Sequence, residues 1–172
     1  TITTADNLTQ LTLVSTDADA NPGPILDLYR NSSSPADDDS TGRINFQGEN
    51  SAGETITYSQ IFSSILDVTD GTEDGRYKIG TMVAGSFDSR MDMTNTETAF
   101  NDDQKDINFR IEGGSDANAF FLRGSDGNIG IAHNAPDAHL HVIESSNGTT
   151  TPFIIGNEDH TDSSTSTKVR MT

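Results

Sequence analysis

The sequence predicts an all-β fold, strand-rich, with little or no helix, and too poor in apolar residues for one compact core. Three observations predict it. Hydrophobic residues, glycine not counted, make up 31% of the 172 residues, low even beside the about 45–50% that an ordinary globular domain reaches with glycine counted. Ser and Thr together supply 40 residues, and Trp and Cys are absent. The apolar residues that remain alternate with polar ones rather than recurring at helical spacing, and period two over short runs marks half-buried strands. A disordered chain shares the low hydrophobicity and high net charge, but nothing in disorder calls for that alternation. The reading left is a thin, elongated, strand-rich fibre that hides its few apolar residues between chains.

The strands are expected, in order, at Leu11–Leu13, Leu26–Leu28, Ile44–Phe46, Ile56–Tyr58, Met91–Met93, Ile107–Ile111, Ile129–Ile131 and Leu140–Val142. Turn signals fall between them at 21–24 (NPGP), 70–75 (DGTEDG), 112–116 (EGGSD), 125–127 (SDG) and 134–137 (NAPD). Gly, Pro, Asn and Asp favour these positions for backbone reasons. Two hairpins are readable, one folding about 69–75 and one about 124–127, with Asp-Gly pairs supplying the positive φ that tight turns need. Thr96–Asp106 is the one weak helical candidate, and a loop suits it equally.

Residues 1–142 are read as one β-rich module, with a possible division into 1–85 and 86–142. Residues 143–172 are read as the start of a following module or as terminal strands. The basis is a loose match of 12–20 on 153–161 and of 26–30 on 167–171, the spacing logic of stacked repeats.

The net charge of −17 opposes nucleic acid, whose binding depends on Lys and Arg neutralising phosphates. It also opposes adsorption to an anionic membrane, and no apolar run approaches the ~18 residues of a membrane span. The N-terminal stretch has neither the basic nor the apolar region of a signal peptide. It also lacks Met, which suggests a piece of a longer protein.

The stretch DGNIGIAHNAPDAHLHV, Asp126–Val142, carries three of the four histidines. It resembles a segment common in tail fibres and related appendage proteins of tailed bacteriophages, with the pattern Gly-x-[Val/Ile]-Gly-Ile-Gly-x, a short Pro-containing loop and a Leu-His-[Val/Ile] strand. Gly127, Asn128, Ile129, Gly130 and Ile131 match the first part, and Pro136, Leu140, His141 and Val142 the second. Ala132 stands where that family usually has a third Gly. The stretches at 11–39, 42–61 and 67–75 also resemble repeat modules of marine-phage fibres. The resemblance covers about two thirds of the chain. It implies a trimeric β-rich shaft on a virion, supporting host attachment, with other appendage proteins as partners and a host-surface glycan or protein as a further one. A receptor- or glycan-binding fibre module and a non-viral extracellular filament or adhesin are the alternatives.

In this reading the segment is a structural joint. Gly127 and Gly130 serve a hairpin and a close strand approach, Ile129 and Ile131 face inward together, Pro136 turns the chain, and Leu140 and Val142 pack inward on the next strand. No cofactor is expected. The weak metal candidates are His139 and His141, an axial site if copies meet on a three-fold axis, and Asp17 and Asp19, which open a calcium-loop pattern. That pattern asks for Gly at its sixth position and Glu at its twelfth, where this chain has Pro22 and Leu28, so an EF-hand is excluded. No enzyme is expected. With 27 acidic residues, a carboxylate pair for glycoside hydrolysis carries no information. The chain has no Trp to build a sugar platform, and nucleophile-elbow and phosphate-loop motifs are lacking.

Overall fold

The structure, a computed structural model, describes residues 1–143. Those residues are all-β, with no helix among them, and so no helix long and apolar enough to cross a membrane. They fall in two compact units that divide after Asp103. The sequence repeat on 153–161 and the segment 144–172 lie outside the described residues.

The first unit holds a five-stranded antiparallel meander. Its strands are β1 (Ser40–Glu49), β2 (Thr55–Asp67), β3 (Asp74–Val83), β4 (Ser86–Met93) and β5 (Thr98–Phe100), paired in sequence order. Each turn has its own chemistry. Between β1 and β2 the Asn50 side chain accepts from the amides of Ala52 and Glu54 at 2.9 and 3.0 Å, and Gly53 takes φ 78°. Between β2 and β3 the Asp67 carboxylate accepts from the Thr69 amide at 2.8 Å, and Gly71 takes φ 86°, as the Asp70-Gly71 pair predicts. Between β3 and β4 two residues suffice, Ala84 and Gly85, both at positive φ, which matches the right-handed twist of the flanking strands. The possible division at 85/86 therefore falls inside a two-residue hairpin turn, and the compact units part at 103/104 instead.

Two expectations fail here. Leu11–Leu13 and Leu26–Leu28 are not strands: residues 1–39 form none, and all four leucines are exposed. A strand needs a partner ladder, which these runs lack, and amides flanking the first of them turn to nearby side chains instead. The amides of Leu8, Asp17, Asp19 and Asn21 donate to Asp6, Ser15, Asp17 and Asp19, local bonds that compete with ladder pairing. The weak helical candidate 96–106 becomes β5 and a turn, because Asn101 and Gln104 adopt φ 61° and 52°, which no right-handed helix accommodates.

The register sorts the sheet into two unlike faces. Directly opposed residues share a face, so Ile44, Ile61, Ile79, Met91 and Phe100 form one apolar row across all five strands. The neighbouring row, Arg43, Phe62, Lys78, Asp92 and Ala99, points the other way. That second face satisfies its own polar groups. Arg43 lies 5.3 Å from the Phe62 ring centroid, Gln60 donates to Asn45 at 2.7 Å, and Arg76 and Lys78 pair with Asp92.

The second unit, from Gln104 on, holds four three-residue strands: β6 (Phe109–Ile111), β7 (Phe120–Leu122), β8 (Ile129–Ile131) and β9 (Leu140–Val142), paired in that order. β6, β7 and β8 run antiparallel, while β8 and β9 run parallel. The β7–β8 hairpin is the second one expected from sequence, and Gly127 takes φ 72° in its turn. Phe109 and Phe120 meet edge to face with centroids 6.1 Å apart.

Neither unit has much of a core. Among the described residues Phe121 is the buried hydrophobic side chain, and Pro136 is the largest that is wholly enclosed. Asp88, Ser89 and Asp92 are buried more deeply than any isoleucine of the sheet.

Candidate functional site

The segment that resembles a fibre joint, Asp126–Val142, is built from β8, β9 and the loop between them. Its entry is held by one carboxylate. Asp126 accepts two bonds from Arg123, at 2.9 Å from Nε and 2.5 Å from Nη2, and one from the Asn128 amide at 3.1 Å. The Arg123 guanidinium holds the Asp126 carboxyl below the usual carboxylate range. The hairpin closes with the Arg123 amide donating to the Asn128 carbonyl at 2.9 Å. The Asn128 side chain, buried, then reaches the Pro136 carbonyl at 3.4 Å and ties the hairpin to the loop.

A parallel strand pair usually needs a crossover of a dozen or more residues. Here 132–139 suffice, because each strand is three residues long. The Ile129 amide donates to the His139 carbonyl at 2.9 Å and the Ile143 amide to the Ile131 carbonyl at 3.1 Å. Ile129 thus sits opposite Leu140 and Ile131 opposite Val142. The other row across this sheet is Phe121, Gly130 and His141. Gly130 is buried, and a Cβ there would overlap the His133 carbonyl oxygen of the loop. Ile129, Ile131 and Val142 are half-buried and Pro136 is enclosed. Leu140, expected to pack inward, is 53% exposed in the single chain.

Ala132 carries the turn out of β8 at φ 55°. The left-handed conformation costs a residue with a Cβ roughly 1–2 kcal/mol. Ala132→Gly is expected to stabilise the protein by about 0.5–1 kcal/mol, the relief of strain exceeding the added freedom of the unfolded chain. A urea midpoint that falls instead would show that the Ala132 methyl contributes packing.

The structure brings the metal candidates together only in part. His141 Nδ1 lies 2.8 Å from Asp137 Oδ1, and the His133 and His141 rings meet with centroids 4.2 Å apart. His139 is exposed and does not join them. The pairing of His133 with His141 was not legible from spacing, since it arises from the loop's return rather than from strand alternation. Asp17 and Asp19 spend carboxylate oxygens on the amides of Asp19 and Asn21, at 3.3 and 2.8 Å, the signature of Asx turns. Among the described residues no three His, Asp or Glu come together as a metal-holding group.

A second cluster escaped sequence reading altogether. Asp92 on β4 is 2% exposed. Arg76 Nε donates to its Oδ1 at 2.8 Å, Arg76 Nη2 pairs with its Oδ2, and Lys78 Nζ lies 3.3 Å from Oδ2. Arg76 is the first cause holding the Asp92 carboxyl below its ordinary value. The cluster joins β3 to β4 and serves as a structural tie.

An open cleft of about 370 Å3 lies on the apolar face of the five-stranded sheet, lined by Leu28, Gly42, Ile44, Ile61 and Tyr77 among others. Its walls carry no paired carboxylates and offer apolar contact rather than acid–base chemistry.

No protein-family model matches this chain, and no curated protein matches it.

Proposed function

We propose that this chain is a structural segment of a bacteriophage tail fibre or related virion appendage, built as a homotrimer at the particle surface and supporting host attachment. The observation that carries the reading is the mismatch between extensive strand pairing and a minimal core. A 13-residue strand and two 10-residue strands pair in register, yet the buried hydrophobic core of the described residues is Phe121. Ordering a backbone is costly, and the compensating burial must then come from neighbouring chains. The joint-like segment Gly127–Val142, which resembles its counterparts in such fibres, adds to the support. Other appendage proteins and a host-surface glycan or protein are the further partners, and no catalytic step is assigned.

Sedimentation equilibrium on the purified chain tests this. The expected mass is three times that of one chain, and dilution to the monomer should abolish the β-sheet circular dichroism. A single-chain mass with an unchanged spectrum at micromolar concentration overturns the proposal. Electron microscopy of the native assembly should give a rod of uniform width. A widened terminal head formed by this segment would favour the receptor-binding alternative.

A further inference from the structure

We propose that Leu26–Arg30 is a strap poised to close over the β1 end of the apolar sheet face. The proposal concerns contacts within one chain and stands apart from the oligomeric reading above.

Three observations place the strap. The first is a seat. β1 is an edge strand of the sheet, and Leu28 lies over Gly42 on it. A Cβ built at Gly42 would stand 3.0 Å from Leu28 Cβ, so a residue without a side chain is what leaves room for Leu28. Gly42, Ser63 and Tyr77 oppose one another in turn. They share a face with Ile44 and Ile61, and Leu28 forms one wall of the open cleft there. The second observation is a latch. Arg30 Nη2 lies 2.9 Å from Asp39 Oδ1, and Arg30 Nη1 donates to the Ser40 carbonyl at 3.2 Å. Arg30 is the sole cation among residues 1–39, so the latch has no substitute within that segment. The third observation is direction. Leu28 meets position 42 and Arg30 meets 39 and 40, so the strap runs antiparallel to β1. Continued by two residues, that register sets Leu26 beside Ile44.

The strap is not yet closed along its length. Alternation puts Leu26 and Leu28 on one side and Asp27 and Tyr29 on the other. The exposures agree, at 59% and 51% for the leucines against 82% for Tyr29. Leu26 and Ile44 thus both keep apolar surface in water, and removing that surface from water favours closure. Nothing has to be dismantled first, because residues 26–30 form no strand. No acid lines the cleft that Leu26 would enter, and Asp27 stays on the outer side. The strap decides whether the cleft is open to solvent.

The chain has no native cysteine, which permits disulfide trapping in the full chain. Mild oxidation of Leu26→Cys/Ile44→Cys is expected to give an intrachain disulfide, read as a mobility shift at single-chain mass in non-reducing electrophoresis. Leu26→Cys/Phe46→Cys should react at least tenfold more slowly. It lies two residues out of register, about 6.6 Å further along the strand, beyond disulfide reach. Arg30→Gln should slow the first reaction by up to about fivefold, the ceiling for a half-exposed ion pair. Gly42→Val should unseat Leu28 and speed tryptic cleavage after Arg30 several-fold. Gly75→Val, where nothing lies within 4 Å of an added Cβ, should leave that cleavage unchanged. If the cysteine variants lose their β-sheet circular dichroism, the two glycine variants decide. Equal trapping at Ile44 and Phe46, a disulfide between chains alone, or none in a folded variant overturns the strap. Equal cleavage of Gly42→Val and Gly75→Val overturns it as well.

Discussion

Replacing Asp92 by Asn is expected to destabilise the protein by about 2–4 kcal/mol at neutral pH, the range for breaking a buried ion pair from one side when its cations keep some access to water. The carboxylate is 3% exposed, while Arg76 and Lys78 are 30% and 26% exposed. The cations can rehydrate in part, which keeps the loss below that of a fully enclosed pair. Asn preserves shape, so the change isolates charge from packing. The pH dependence follows from the direction of the shift. Arg76, by hydrogen bonding the ionised form, holds the folded-state pKa of Asp92 below its ordinary 3.8. Its contribution is therefore complete above the unfolded value and is lost as pH falls through the lower folded value. The gap between wild type and Asp92→Asn, followed by urea midpoints, should be constant from pH 7 to about 5 and should close below about 3.8. A gap that persists undiminished at pH 3 would mean that Asp92 acts through packing rather than through its charge.

That acid shows where sequence reading stops. Alternation placed Met91 and Met93 on one side of a strand and Asp92 on the other, and the register agrees. Alternation gives no partner for Asp92, which is buried because Lys78 lies directly opposite on β3 and Arg76 two residues before it. A cross-strand partner is invisible until the register is known. Both hairpins were legible because Asp70-Gly71 and Asp126-Gly127 state their turns locally. The leucines at 11, 13, 26 and 28 misled for the opposite reason: the alternation is present, but no strand pairs with them, and between the two runs the amides of Asp17, Asp19 and Asn21 bond to neighbouring Ser and Asp side chains. In the joint segment, Gly127 was expected in a hairpin turn and takes positive φ there, while Pro136 was expected only to turn the chain and its enclosure was not legible. The meeting of His133 with His141 was not, because it depends on an eight-residue return between parallel strands, a connection shorter than period and composition suggest.

Gly130→Ala should cost about 2–3 kcal/mol, towards the upper end of overpacking penalties, and the damage should be confined to the second unit. Gly130 lies between Phe121 and His141 in the row across β7, β8 and β9. The gap left by its missing side chain is filled by the loop itself, with the His133 carbonyl oxygen seated where a Cβ would stand. The obstructing group is backbone, so no rotamer change relieves the overlap. Either the loop 132–139 lifts or β8 shifts, and both break the bonds from the Ile129 and Ile143 amides that hold β9 in place. The Asn128 contact to the Pro136 carbonyl and the tilted contact of the His133 and His141 rings should go with them. Amide exchange should accelerate at Ile129 and Ile143, and proteolysis should appear within 132–139, while the β1–β5 amides keep their protection. Gly114→Ala is the control in the same unit: nothing lies within 4 Å of its added Cβ, and its effect should stay within about 0.5 kcal/mol. Equal effects of the two substitutions, or full protection of β9 in Gly130→Ala, would show that the loop does not depend on the space Gly130 leaves.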